Sequence, residues 1–183
     1  MHRNNELRLC ERATALGESG DAAAFAELVG LTRSESARVR RLAASALGKL
    51  AGIVPAGAAV DALVPLLADA HPQCRQYAAK ALGAFGAAAE KALPDLRDLH
   101  RNPAEKDYVK RSVLAAGMTI REAIRIAGEQ AIRKIGMLKK QKLYQQEGKR
   151  MISLYPADKP RLAAVLREKL SRYVRLSEPA GTP

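Results

Sequence analysis

Val39-Arg-Arg-Leu-Ala-Ala-Ser-Ala-Leu-Gly-Lys-Leu50 returns 35 residues later as Cys74-Arg-Gln-Tyr-Ala-Ala-Lys-Ala-Leu-Gly-Ala-Phe85. A looser copy, Ile124-Arg-Ile-Ala-Gly-Glu-Gln-Ala-Ile-Arg-Lys-Ile135, follows 50 residues after the second. Apolar residues recur in each at spacings of three and four, the signature of an amphipathic helix. In the first copy the expected core face is Val39, Leu42, Ala43, Ala46, Leu47 and Leu50. One helix pair cannot bury such a face alone, so a period of this length predicts stacked pairs. The fold class expected is all-α, an α-solenoid of antiparallel pairs.

Working outward, Asn4–Gly17 reads as a first helix, broken by Gly17-Glu-Ser-Gly20. Asp21 is an N-cap candidate for a helix over 22–31. Glu35–Ala51 carries the first repeated phrase. The next pair is Ala58–Asp69, where Pro65 predicts a kink or late start, and Gln73–Phe85. Glu90–His100 follows, stopped by Asn102-Pro103. Two registers then compete. A strict 35-residue step places the third inner helix at Val109–Gly117, whereas the Ile124 copy needs a 15-residue insertion. Thr119-Ile-Arg-Glu122 has a capping-box pattern that would separate two helices, and Gly136 would cap the second. Met137–Tyr155 and Lys159–Leu176 are expected as basic helices. The array is therefore expected over 1–136, with 137–183 as C-terminal helices and a frayed tail packed on it.

The phrase Val-Arg-x-x-Ala-Ala-x-Ala-Leu-Gly-x-Leu resembles the inner helix of bacterial HEAT repeats. Leu66-Leu-Ala-Asp-Ala-His-Pro72 resembles the end of their outer helix and the turn after it. The resemblance covers about residues 22–100, and 101–136 loosely. It implies a curved stack presenting a concave surface to a partner. Such families mostly bind proteins; a few bind DNA and a few are enzymes.

Composition agrees independently. Alanine accounts for 35 of 183 residues, tryptophan is absent and aromatics are 4%. Small unbranched side chains suit close helix packing, and a sheet would favour β-branched and aromatic residues. Gly48 and Gly83 each cost about 1 kcal/mol against alanine inside a helix. Their repetition predicts a contact with no room for a side chain. Leu47 and Leu82 are expected at the centre of the core.

Chemistry is hard to find in the chain. His2, His71 and His100 have no partner at ligand spacing, Cys10 and Cys74 lie 64 residues apart, and no phosphate-binding glycine loop occurs. His-Glu pairs like those of iron-binding HEAT hydroxylases are absent. HEAT-like DNA glycosylases rely on aromatic side chains, tryptophan prominently, whereas this chain has no tryptophan and its two phenylalanines, Phe25 and Phe85, read as core; nothing singles out a chromophore site like that of HEAT-like bilin lyases. No cofactor and no enzymatic activity are expected. The N-terminus lacks an apolar leader core, and the longest uncharged internal run, between Lys49 and Asp61, is 11 residues. A cytoplasmic protein without a membrane partner is expected.

Charge is uneven. Residues 1–100 hold 12 Lys/Arg against 11 Asp/Glu, and 101–183 hold 19 against 8, which places +11 of the net +12 in the C-terminal part. Two readings of the cations stand side by side. Arg40 and Arg75 share one repeat position, taken in the third unit by Arg125 or Lys110. They form either a cationic ladder for a partner or ties at the turns. Lys139, Lys140, Lys142, Lys149 and Arg150 form either a phosphate-contacting cluster or a solvated helix face. The function expected is a non-catalytic adaptor binding a protein along the stack. The alternative is a nucleic-acid accessory protein contacting DNA or RNA through the basic C-terminal helices.

Overall fold

The structure is a computed structural model that describes residues 2–146. Among these residues there are seven α-helices and no strand. They are α1 (His2–Glu18), α2 (Ala24–Leu31), α3 (Ala37–Lys49), α4 (Ala56–Leu63), α5 (Pro72–Ala84), α6 (Leu93–Arg101) and α7 (Asp107–Gln146). The chain divides at Ala131/Ile132 into two parts.

In the first part, α2, α4 and α6 are outer helices, each followed by an inner one, α3, α5 and the first turns of α7. The helix α1 packs on α3 as a further inner helix. Turns of three to five residues separate outer from inner helices. Ser36 caps α3 by accepting from the Val39 N–H at 3.4 Å. Pro72 opens α5 at a position where the missing N–H is harmless. In place of the kink or late start expected at Pro65, the helix starts at Ala56 and is cut short. Lacking a donor and clashing with the preceding turn, Pro65 ends α4, and Val64–Ala68 tightens to a 3₁₀ helix.

One continuous core runs through the stack. Val39, Ala43, Ala46, Leu47 and Leu50 are buried as expected, and Leu42 is partly buried. Cys74 takes the valine position of the second copy, fully buried, with its thiol donating to the Ala37 carbonyl at 3.1 Å. Both cysteines are free thiols. The register after residue 101 follows the strict 35-residue step, since Val109, Val113, Ala116 and Ile120 are the buried residues of α7. Ile124 is only partly buried and Ile126 is 42% exposed, so the Ile124 phrase lies beyond the packed turns. The expected break at Thr119–Glu122 does not occur, nor does the stop at Gly136. The Thr119 hydroxyl donates back to the Ala115 carbonyl at 3.0 Å, a bond compatible with an uninterrupted helix.

The repeated glycines set the distance between inner helices. A Cβ on Gly48 would lie 3.0 Å from the Ala81 Cα, and one on Gly83 would lie 3.2 Å from the Ala116 Cα. Gly17 makes the same contact more tightly, 2.7 Å from the Ala46 Cβ and 2.8 Å from its Cα. Ala15-Leu16-Gly17 is thus another copy of the Ala-Leu-Gly triplet at 46–48 and 81–83, and Gly17 belongs to α1 rather than to the break after it. We expect Gly17→Ala to destabilise the fold by about 1–3 kcal/mol, because overpacking outweighs the gain of about 1 kcal/mol in helix propensity. Gly30→Ala, whose Cβ meets nothing within 4 Å, should be neutral or stabilising. Urea midpoints of the two variants that move together would refute this account.

In the second part, the described residues 132–146 are helical. Ile132, Ile135, Met137 and Leu138 are exposed, as are Lys139 and Lys142.

Candidate functional site

Arg40 and Arg75 occupy equivalent places, and both are engaged at the turns. The Arg40 guanidinium donates to the Asp69 carboxylate at 2.7 and 3.0 Å, and to the carbonyls of Ser34 and Glu35 at 2.8 Å each. One unit on, Arg75 donates to Glu105 at 2.6 and 2.9 Å, and to the carbonyls of Asp69 and Ala70 at 2.6 and 3.1 Å. Each arginine therefore ties its own unit's turn to an acid of the next unit. Bidentate geometry favours arginine over lysine here.

Burial sharpens these pairs. The Glu105 and Asp69 side chains are 1% and 5% exposed. Hydrogen bonds from Arg75 hold the Glu105 carboxyl below the ordinary carboxylate range, against the upward push of burial and with help from the Lys106 N–H. At Asp69 burial pushes upward most strongly. Arg40 and the His71 N–H together outweigh it, and the carboxyl again titrates low.

The other expected contact residues are placed differently. Arg125 is exposed on α7 and paired with Glu122 and Glu129 of the same helix. Lys110, not Arg125, holds the register of Arg40 and Arg75. Lys139 and Lys142 are exposed on α7, and Lys140 lies between them in sequence on the same helix. Lys149, Arg150 and the expected helix over 159–176 lie outside the described residues.

A different set of cations shares the face of the inner helices that no described helix covers. Leu7, Glu11, Thr14 and Glu18 of α1 line one groove with Arg38, Arg41 and Leu42 of α3. Gln76 and Lys80 of α5 line another with Tyr108, Arg111 and Ser112 of α7. Tyr77 joins the two, with the Arg41 guanidinium 5.3 Å and the Lys80 ammonium 5.2 Å from its ring centroid. Each such contact contributes about 0.5–1 kcal/mol at an exposed site, enough to bias where a long side chain points. Gln76 donates to the Ser112 hydroxyl at 3.2 Å across the α5–α7 groove.

The electrostatics of this face are lopsided. Among the described residues, Arg38, Arg41, Lys80 and Arg111 make no ion pair, whereas Arg12, Arg40, Lys49, Arg75, Lys91 and Arg125 each have a carboxylate. No acid lines the α5–α7 groove. The acids of the face are confined to α1, where Glu18 lies 3.5 Å from Lys49. These cations repeat only in part, which hides them in the sequence: on the 35-residue register position 41 is arginine, 76 glutamine and 111 arginine, while 38 and 80 are each cationic in one unit alone. Placing them on the 35-residue register would have gathered them.

Stacked antiparallel pairs, a shared core and an open inner-helix face define a helical-repeat scaffold. The chain carries HEAT-like repeats: residues 37–85 match the family described as HEAT-like repeat, and residues 75–99 match the PBS lyase HEAT-like repeat. No curated protein matches the chain. Repeats of this kind suggest a role in protein interaction. No described helix is long and apolar enough to cross a membrane.

Proposed function

We propose that this protein is a non-catalytic adaptor that holds a protein partner against the exposed face of α1, α3, α5 and the first turns of α7. The observation that carries the reading is the set of cations on that face, Arg38, Arg41, Lys80 and Arg111, without carboxylate partners of their own. Like charges gathered on one face repel one another, and a partner that supplies the opposite charge relieves this. The grooves are open and shallow, which suits a chain laid across helices better than a small molecule enclosed in a cavity.

A photo-crosslinking side chain at Gln73, exposed at the start of α5, tests the proposal in the native host. A discrete protein adduct is expected there, and not from the same side chain at Asp95 on α6. Adducts from Asp95 alone, or none from Gln73, would overturn it.

The charge of +11 in residues 101–183 favours a second reading, an accessory protein contacting nucleic acid phosphates through Lys139, Lys140, Lys142, Lys149 and Arg150. It predicts an affinity for duplex DNA that falls steeply with salt in titrations at several salt concentrations, and absent binding at low salt would remove it.

A further inference from the structure

We infer that the partner's contact segment is a short, extended, acidic peptide lying across α3, α5 and the first turns of α7. This rests on the adaptor reading and names the chemistry of its partner. Four observations define the occupant.

Its sign follows from the lining. Arg38, Arg41, Lys80 and Arg111 present positive charge from three successive inner helices, and the α5–α7 groove contains no acid to answer them. Its extent follows from the acids of α1. Glu11 and Glu18 stand at the α1 end of the same face, so an anion continuing past α3 meets repulsion. The favourable strip is therefore three helices wide. Inner helices in close contact lie about 8 Å apart, which makes the strip roughly 16 Å long. An extended chain at about 3.3 Å per residue fills it with about five or six residues.

Its class follows from the tyrosine. A nucleic acid would use an aromatic ring on this face as a stacking platform. Here the Tyr77 ring is occupied by Arg41 and Lys80, so it holds the cations in place. Preorganised cations on either side of the Tyr77 ring fit carboxylates on a peptide. Its conformation follows from the polar groups beside the cations. The Gln76 amide, already donating to Ser112, retains its carbonyl oxygen and a second N–H for peptide groups.

The test is a fluorescence anisotropy titration of the full chain at low salt with four labelled probes: hexaglutamate, hexaglutamine, a single-stranded DNA and a duplex DNA. Hexaglutamate is expected to bind and hexaglutamine is not. The double variant Arg41→Glu, Lys80→Glu should weaken hexaglutamate binding by about tenfold or more. A control of equal charge change on the outer helix α6, Arg97→Glu with Arg101→Glu, should stay within about twofold. Circular dichroism melting checks each variant. If the glutamate variant melts early, Arg41→Gln with Lys80→Gln replaces it, with a smaller loss expected.

Equal losses in the α6 control would mean that affinity follows net charge alone, and would overturn the inference. So would hexaglutamate failing to bind, or either DNA binding more tightly than hexaglutamate with the same sensitivity at Arg41 and Lys80. The two levels of the claim separate cleanly. A protein crosslinked at Gln73 that excess hexaglutamate does not displace keeps the adaptor and removes the acidic peptide. Loss of the Gln73 crosslink itself removes the adaptor.

Discussion

Truncation of Leu82 to alanine is expected to lower stability by about 2–5 kcal/mol. That is a large part of the roughly 5–15 kcal/mol that holds a domain together. Leu82 is fully buried in α5, the inner helix flanked by α3 and by the first turns of α7. The Gly48–Ala81 and Gly83–Ala116 contacts sit on either side of it, so neither neighbour can move in to fill the hole without breaking a close backbone approach. In a repeat stack stability is close to a sum over units and their interfaces, and a defect in a central unit weakens two interfaces at once. Leu93→Ala, at a partly buried position of α6, should cost distinctly less. Urea denaturation of both variants decides the matter, and an unchanged midpoint for Leu82→Ala would show that the core is centred elsewhere.

Glu105→Ala is expected to cost about 3 kcal/mol, because it strands the guanidinium of Arg75 in a largely dehydrated turn. The Arg75 side chain is 18% exposed, so some relief by solvent remains. Replacing both partners by apolar residues, Arg75→Met with Glu105→Leu, should be less damaging than Glu105→Ala alone. A buried pair is hard to break from one side and easier to remove whole. The loss of Arg75 does take a donor from the carbonyls of Asp69 and Ala70, which keeps the double change from being neutral. A double variant less stable than Glu105→Ala would refute this view of the pair.

The same pair sets an acid limit. The folded Glu105 carboxyl titrates below its unfolded value, for which about 4.3 is ordinary. Ionisation therefore favours the folded state. The contribution is whole above the unfolded value and is lost as pH falls through the lower, folded one. Asp69 shifts in the same direction and adds to the effect. Thermal melts of Glu105→Gln should accordingly show a shallower loss on the acid side than the parent.

The parts of the fold legible in the sequence were those the chain repeats. Val39 and Cys74, Leu47 and Leu82, and Gly48 and Gly83 recur because each unit meets its neighbour in the same way. Two things escaped. The Ile124 phrase matched a local helix pattern, but locality carries no information about where a helix lies in a stack. The 35-residue step does, and Val109, Val113 and Ala116 obey it. The capping-box reading of Thr119–Glu122 failed because a threonine hydroxyl can serve its own helix as readily as begin a new one. The candidate site was the least legible part for the opposite reason. Arg40 and Arg75 drew attention by recurring, and recurrence marks the joints of the architecture. Arg41 and Arg111 share a register position that glutamine takes at 76, and 38 and 80 are each cationic in one unit alone, an irregular set such as a surface fitted to one occupant requires.

Among the described residues, this mode of stacking ends at α7. The glycines at 17, 48 and 83 each admit the alanine of the following inner helix, and the next position on the 35-residue register is Met118, 62% exposed. A thioether side chain there denies an added helix the close approach that glycine allows. Lengthening the array by grafting an additional repeat would thus begin by exchanging that methionine for glycine. An insertion made without the exchange would leave the new unit poorly seated.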